Sequence, residues 1–416
     1  MHRASFFLFF LGFLILLDFY GFQGVKFLIR NLSISTQTII KIAYWSLTFL
    51  VAISTVGLFT GLLSRSDVVG RTIFFSAFVI NYFPKLIFFL FVFIDDLIRG
   101  GKWVFGKLQP NDLTELKTGE TISRSDFVLK AGAAVATIPF VATSYGILSG
   151  AHDYRIRRHR IVLPNLPKAF DGIKIAQLSD IHSGSFWNKT AVQGGVEMLM
   201  GEKPDAVFFT GDLVNDKAEE VRDYVPIFSK VKADLGVFST FGNHDYGDYV
   251  QWGSASAKAQ NLKDLADAHK LMGWDLLRNE NRKLQIGNES IGIIGIENWG
   301  AKGNFSRYGD LRKAYKGVEE EPVKLLLSHD PSHWDAQVRE QTDIDIMFAG
   351  HTHGMQFGVE IGGVQWSPVK YMYKQWAGLY NEDNQFLYVN RGYGYIAFPG
   401  RIGILPEITI MELVRA

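Results

Sequence analysis

Five short apolar runs in this chain each lead into a residue that can hold a metal ion. Ile173–Leu178 runs into Ser179-Asp180-Ile181-His182, and Ala206–Thr210 into Gly211-Asp212. Gly236–Thr240 ends just before Gly242-Asn243-His244-Asp245. Lys324–Leu327 is followed by Ser328-His329-Asp330, and Ile344–Ala349 by Gly350-His351-Thr352-His353-Gly354. Carboxylate oxygens and neutral imidazole nitrogens suit zinc, manganese or iron, and one carboxylate can bridge two cations. In Asp180-x-His182 and His351-x-His353 the one-residue gap puts both donors on the same side of an extended chain. Gly211 gives the backbone room to turn the Asp212 carboxylate inward. Asp-x-His alone recurs by chance in many chains; five such endings in order do not. The chain has no Cys, which excludes disulfides, thiolate nucleophiles, iron–sulfur clusters and Cys-type zinc sites.

The elements that must position these residues alternate between strand and helix. Lys189–Met200 and Ala255–Met272 read as helices between the strand candidates. Strands that deliver polar residues beyond their carboxyl ends fit an α/β sheet, which places ligands there.

On these motifs, residues from about 170 to 415 resemble the calcineurin-like metallophosphoesterase superfamily. The resemblance implies a β-sandwich flanked by helices, with two divalent ions (Mn, Fe or Zn) at the strand ends. Asp180, His182, Asp212 and His353 would hold one ion; Asp212, as a bridge, would join Asn243, His329 and His351 on the other. His244 matches the histidine that contacts the scissile phosphate and protonates the leaving oxygen, with Asp245 supporting it in the catalytic motif. The fourth motif reads Ser-His-Asp where the family has Gly-His. The implied activity is hydrolysis of a phosphodiester or pyrophosphate by in-line attack of a metal-activated hydroxide. Within the superfamily the chain most resembles membrane-associated members related to UDP-2,3-diacylglucosamine hydrolases of lipid A synthesis, which act at the cytoplasmic leaflet. It also resembles exported phosphodiesterases of the cell envelope, and the two require opposite topologies.

Composition divides the chain at about residue 150. Residues 1–150 carry 13 Lys/Arg, 8 Asp/Glu and one His, whereas residues 151–416 carry 30, 34 and nine. The first part is apolar and reads as a membrane domain of about four helices; the second has the composition of a soluble domain. Ala4–Tyr20, Ile42–Leu63, Thr72–Ile94 and Phe127–Leu148 are the span candidates, the last rich in Ala and Gly. Lys85, beside Pro84, is expected at a kink or reaching for the membrane surface. The net charge of +1 gives no field for nucleic acid.

Orientation rests on small differences. Six basic residues lie within Arg99–Lys130, and four arginines lie within Arg155–Arg160. Ser123-Arg124-Ser125-Asp126-Phe127 looks like a twin-arginine export motif lacking one arginine. The expectation is an integral protein of a bacterial inner membrane with its soluble domain outside the cytoplasm. Arg155–Arg160 reads as an opening strand. His152, His159, His269 and His333 belong to no motif and read as surface or packing residues. Trp366, Tyr371, Tyr373, Trp376 and Tyr380, with Arg391, Tyr393 and Tyr395, would form either a lipid-facing rim or ordinary core. The expected partners are a phosphoester, lipid-linked in the favoured reading, and the bilayer itself. The alternative is a membrane transporter or receptor whose soluble domain binds a phosphorylated ligand without turnover.

Overall fold

The computed structural model describes residues 2–60, 68–108, 124–382 and 384–416. It divides into two compact units, Met1–Tyr145 and Gly146–Ala416, a few residues ahead of the expected boundary. The first unit contains α1 (His2–Ile29), α2 (Ile34–Thr60) and α3 (Val68–Leu108), and α4 (Arg124–Leu148) runs across the division. All four helices are long and apolar enough to cross a membrane. All four exceed their sequence-based bounds, α2 starting at Ile34 and α4 at Arg124. Helix α1 continues past Tyr20 to Ile29, and α3 passes Ile94 to Leu108, through a turn where Arg99 pairs with Asp95 one turn back at 3.2 Å. The end of the expected second span and Ser123 of the export-like motif lie outside the described residues.

Lys85 does not reach for a surface. Helix α3 continues through Pro84, and the Lys85 side chain turns inward. Its Nζ donates to Asp18 Oδ1 at 2.7 Å and to Thr48 Oγ1 at 2.8 Å, and lies 3.8 Å from the centre of the Tyr44 ring. Tyr82 donates its hydroxyl to Asp18 Oδ2 at 2.8 Å. The reason is electrostatic: a carboxylate buried among apolar helices needs a cation, and Lys85 supplies it. One cluster thereby ties α1, α2 and α3 together.

The second unit runs β1 (Arg155–Leu163), β2 (Lys174–Leu178), α5 (Lys189–Gly201), β3 (Ala206–Phe209), α6 (Val225–Phe228), β4 (Val237–Ser239), α7 (Ala255–Met272) and β5 (Asp275–Leu276). It continues with β6 (Glu280–Ile286), β7 (Glu289–Gly295), α8 (Leu311–Tyr315), β8 (Lys324–Leu327), β9 (Ile346–Ala349) and β10 (Val359–Ile361). Last come β11 (Val364–Trp366), β12 (Gly378–Glu382), β13 (Gln385–Val389) and β14 (Glu407–Arg415). One six-stranded sheet has the order β1-β14-β2-β3-β4-β5, and the other β12-β13-β9-β8-β7-β6.

Alternation along the strands explains the layering. Ile175, Phe208 and Met411 of the first sheet share one buried cluster with Leu325, Phe348 and Tyr388 of the second. Their neighbours face outward: Val207 and Phe209 pack on Val192 and Leu199 of α5 and Leu265 of α7, while Leu326 and Met347 pack on Trp334 and Val338. Strands buried on both faces read as continuous apolar runs, which is how these appeared in the sequence. The result is the expected sandwich with helices outside. The four histidines outside the motifs take packing places; His269 bonds Ser239 Oγ at 2.9 Å and His333 bonds Ser328 Oγ at 3.0 Å, both fully buried.

Removing one partner of the buried membrane pair leaves the other uncompensated. Asp18→Asn or Lys85→Met alone should therefore destabilise the detergent-solubilised chain by about 3–5 kcal/mol, and the double variant should regain most of that loss. Unfolding curves in which the single variants match the wild type would refute the role of the pair.

Candidate metal centre

The expected donors leave their strands at one end of the sandwich, and the backbone turns sharply to aim them. Asp180, His182, Asp212, His351 and His353 all have φ between 49° and 70°, the left-handed region that side chains other than glycine's rarely adopt. Such strain persists only where the surroundings enforce it, and it clusters at functional sites. Glycines make the crowding possible. A Cβ on Gly350 would stand 2.2 Å from Asp180 Oδ2, and one on Gly242 would stand 2.2 Å from Asp212 Oδ1. Gly211, at φ 100°, gives Asp212 the room expected of it; a Cβ there would meet Gly242 N at 2.4 Å.

Two clusters result. Asp180, His182 and His353 present donor atoms within 4.8 Å of one another, as do Asp212, His329 and His351. Within the first, His353 Nε2 lies 3.1 Å from His182 Nε2 and 3.2 Å from Asp180 Oδ1. Within the second, His329 Nε2 is 3.1 Å from Asp212 Oδ2. The clusters adjoin: Asp212 Oδ2 is also 3.5 Å from His182 Nε2, and His329 Nε2 is 3.9 Å from Asp180 Oδ1. Asn243 joins the second, its Oδ1 being 2.8 Å from His351 Nδ1. All seven expected ligands are therefore brought together.

These residues fit a pair of divalent cations. His329 Nδ1 lies 2.7 Å from the Thr210 carbonyl, which fixes the proton there and aims Nε2 at the carboxylates. Apart from its 3.1 Å approach to Asp212, that buried Nε2 makes no well-formed hydrogen bond among the described residues. Electrostatics point the same way. Burial alone would raise the Asp180 carboxyl, but His353 and His329 outweigh it and hold it below the usual carboxylate range. Burial would lower His329, but Asp212 and Asp180 carry it up to about 10. The site demands positive charge. His182 and His351, with burial dominant, stay below the ordinary imidazole value and so offer lone pairs.

His244 and Asp245 stand beside the clusters in different ways. The His244 N–H donates to Asp212 Oδ1 at 2.9 Å, and its Nδ1 lies 2.7 Å from the Asn215 carbonyl. Its ring centre is 5.0 Å from that of His182. The Asp245 carboxylate is wholly engaged with backbone, accepting from Asp212 N, Leu213 N and Gly242 N at 2.8 Å each. Burial, with the Asp212 charge beside it, pushes it up to about 7.

Three residues near the site were not among the expected ligands. Arg401, fully buried, sets Nη2 3.1 Å from His353 Nδ1 and donates to the carbonyls of Arg391 and Gly394. Asp330 Oδ2 is 3.7 Å from His351 Nε2, and the Phe305 ring centre is 4.7 Å from that of His351. Asp330 was visible within Ser-His-Asp, whereas Arg401 and Phe305 lie in stretches without a recognisable motif. Of the aromatic stretch, Tyr373 reaches the site, its hydroxyl 3.0 Å from His351 Nε2. Tyr373, Trp376, Tyr393 and Tyr395 are core, as is Arg391, and Tyr371 is exposed.

Comparison with known proteins agrees with this geometry. Residues 173–355 match the family model "Calcineurin-like phosphoesterase", and residues 2–151 match "Probable Calcineurin-like phosphoesterase, transmembrane domain". The family relationship therefore extends to the membrane part, beyond the resemblance read from the motifs. A Bacillus subtilis protein, the uncharacterized metallophosphoesterase YkuE, is 30% identical over 63% of this chain and 86% of its own. A Danio rerio transmembrane protein with metallophosphoesterase domain is 28% identical over 80% of this chain and 71% of its own. The Escherichia coli phosphodiesterase YaeI is 25% identical over 70% of this chain and 100% of its own. With four membrane-spanning helices ahead of a sandwich that gathers the metal-binding motifs at one end, the chain belongs to the calcineurin-like metallophosphoesterases, as an integral-membrane phosphoester hydrolase.

Proposed function

We propose that this hydrolase cleaves a phosphodiester or pyrophosphate carried on a lipid, using two ions of Mn, Fe or Zn. The observation that carries the two-ion reading is the pair of adjoining donor clusters, with Asp212 between them. Asp180, His182, Asp212 and His353 hold one ion; Asp212, Asn243, His329 and His351 hold the other. Two such ions supply charge for the phosphoryl oxygens and a water acidic enough to attack at neutral pH.

The chain's own residues do the rest. Asp245 grips three backbone N–H groups and so fixes the turn that carries Asp212. His244 is oriented by Asn215, and its protonated Nε2 delivers a proton to the leaving oxygen. A lipid-linked substrate is supported by the spans attached to the catalytic unit, although UDP-2,3-diacylglucosamine itself would need that unit at the cytoplasmic leaflet. In the proposed topology, the catalytic unit faces away from the cytoplasm of a bacterial inner membrane. Against the alternative of a transporter or receptor, Lys85 and Asp18 of the membrane unit are engaged with each other.

Purified full-length protein should hydrolyse bis(4-nitrophenyl) phosphate with Mn²⁺, bind two ions per chain and stop when treated with a chelator. Chelator-resistant turnover would refute the metal mechanism. Asp212→Asn should lower kcat by about 100-fold or more and reduce bound metal. His244→Asn should retain both ions. Its kcat should fall about 10²–10³-fold on esters with a poor alkoxide leaving group, and far less on nitrophenyl esters, whose leaving group needs no proton. Equal losses on both substrates would exclude His244 as the acid.

A further inference from the structure

The hairpin formed by β10 and β11 begins a few residues past His353 and stands apart from both large sheets. Its register pairs Val359 with Trp366, Glu360 with Gln365 and Ile361 with Val364. Alternation therefore puts Val359, Ile361, Val364 and Trp366 on one face, with Phe357 leading into it. This face has little cover: Ile361 is 75% exposed and Val364 64%. Tyr371, also exposed, extends it, 3.5 Å from Trp366 Nε1.

The other face is polar and engaged. Glu360 accepts from Arg391 at 2.7 Å and from Arg157 at 2.5 Å, and Gln365 donates to it at 2.8 Å. The hairpin is thus held from one side by ion pairs, and its apolar side is presented outward. A set of large apolar side chains left in water on a rigid ribbon marks an interaction surface.

The structure also indicates the occupant. The hairpin's base is tied to the end of the last membrane helix within the second unit. Gly358 N donates to the Ile402 carbonyl at 2.9 Å, and Arg401 N donates to the Gly146 carbonyl in the last turn of α4 at 3.0 Å. The apolar face is thus joined by two backbone hydrogen bonds, through neighbouring residues, to the last turn of α4. Cations border it: Lys370 lies 5.5 Å from the Tyr371 ring, and Arg155, only a few residues past α4, is more than half exposed. Apolar tip, aromatic ring and flanking cations are the components of an interfacial anchor.

We propose that the apolar face of the β10–β11 hairpin docks into the head-group layer of the membrane that the chain's own helices span. The docking holds the catalytic unit by a second point and does not depend on which phosphoester is cleaved.

The absence of Cys makes the test direct. Full-length Ile361→Cys and Val364→Cys variants, and Leu271→Cys on α7 as an exposed control, would carry an environment-sensitive nitrobenzoxadiazole label. Each would be reconstituted in vesicles of equal parts phosphatidylcholine and phosphatidylglycerol, with and without an acyl-chain spin-labelled lipid. Unchanged melting temperature relative to wild type would be required of every variant. Labels at 361 and 364 should be quenched about two-fold or more beyond the label at 271. Water-like emission at all three positions would overturn the proposal. So would blue-shifted emission at 361 and 364 that the lipid quencher does not touch, because that result assigns the cover to protein.

Discussion

Two carboxylates, Asp180 and Asp212, are taken out of water within reach of a single imidazole, His329, whose one proton balances only one of the two charges. That requirement for positive charge underlies the catalytic unit. It makes the neutral imidazoles of His182 and His351 useful and gives His329 its unusual affinity for a proton. A pair of cations answers the same demand more fully, because each ion meets several donors at once. The sandwich exists, in this sense, to hold charges of one sign close together until ions of the other sign arrive.

Holding them requires backbone in unfavourable conformations. Five donors sit at positive φ, and each costs roughly 1–3 kcal/mol in an unsupported chain. The support is visible around them. Parallel strands deliver the turns in register, Gln177 spans between the sheets from Thr210 Oγ1 to the Ala349 carbonyl, and Asp245 gathers the N–H groups of the Asp212 turn. The Arg401 guanidinium closes the far side by taking up the carbonyls of residues 391 and 394 next to His353. Rigid placement of donors lets a metal site choose its geometry before the metal binds.

The donor set was legible because every member directly follows a strand that is buried on both faces, so apolar run and polar ending appear side by side in the sequence. The order of the strands in the sheets was not, since pairing depends on contacts far apart along the chain. The same holds for Lys85. Nothing local distinguishes a lysine that reaches the membrane surface from one that meets Asp18, because the partner lies on another helix. Helix lengths were underestimated for a related reason. A drop in hydropathy ends a membrane-spanning stretch without ending the helix, as α3 shows beyond Ile94. Arg401 escaped notice because its role is to satisfy backbone carbonyls, and those have no sequence signature.

The place of β14 in its sheet bears on how the protein is made. Strand β1 lies at the sheet edge and pairs only with β14, Arg155 facing Glu407, so about 250 residues separate the partners. The membrane helices contact near neighbours in the chain, whereas this pairing has to wait for synthesis of residues 407–415. Throughout that interval β1, which begins a few residues past α4, is an unpaired strand open to mispairing with other chains. Its four arginines then act as guards: clustered positive charge discourages strand-to-strand association until the proper partner is available. In the finished fold the same four enter ion pairs, Arg155 with Asp153, Arg157 with Glu360, Arg158 with Glu202 and Arg160 with Glu412.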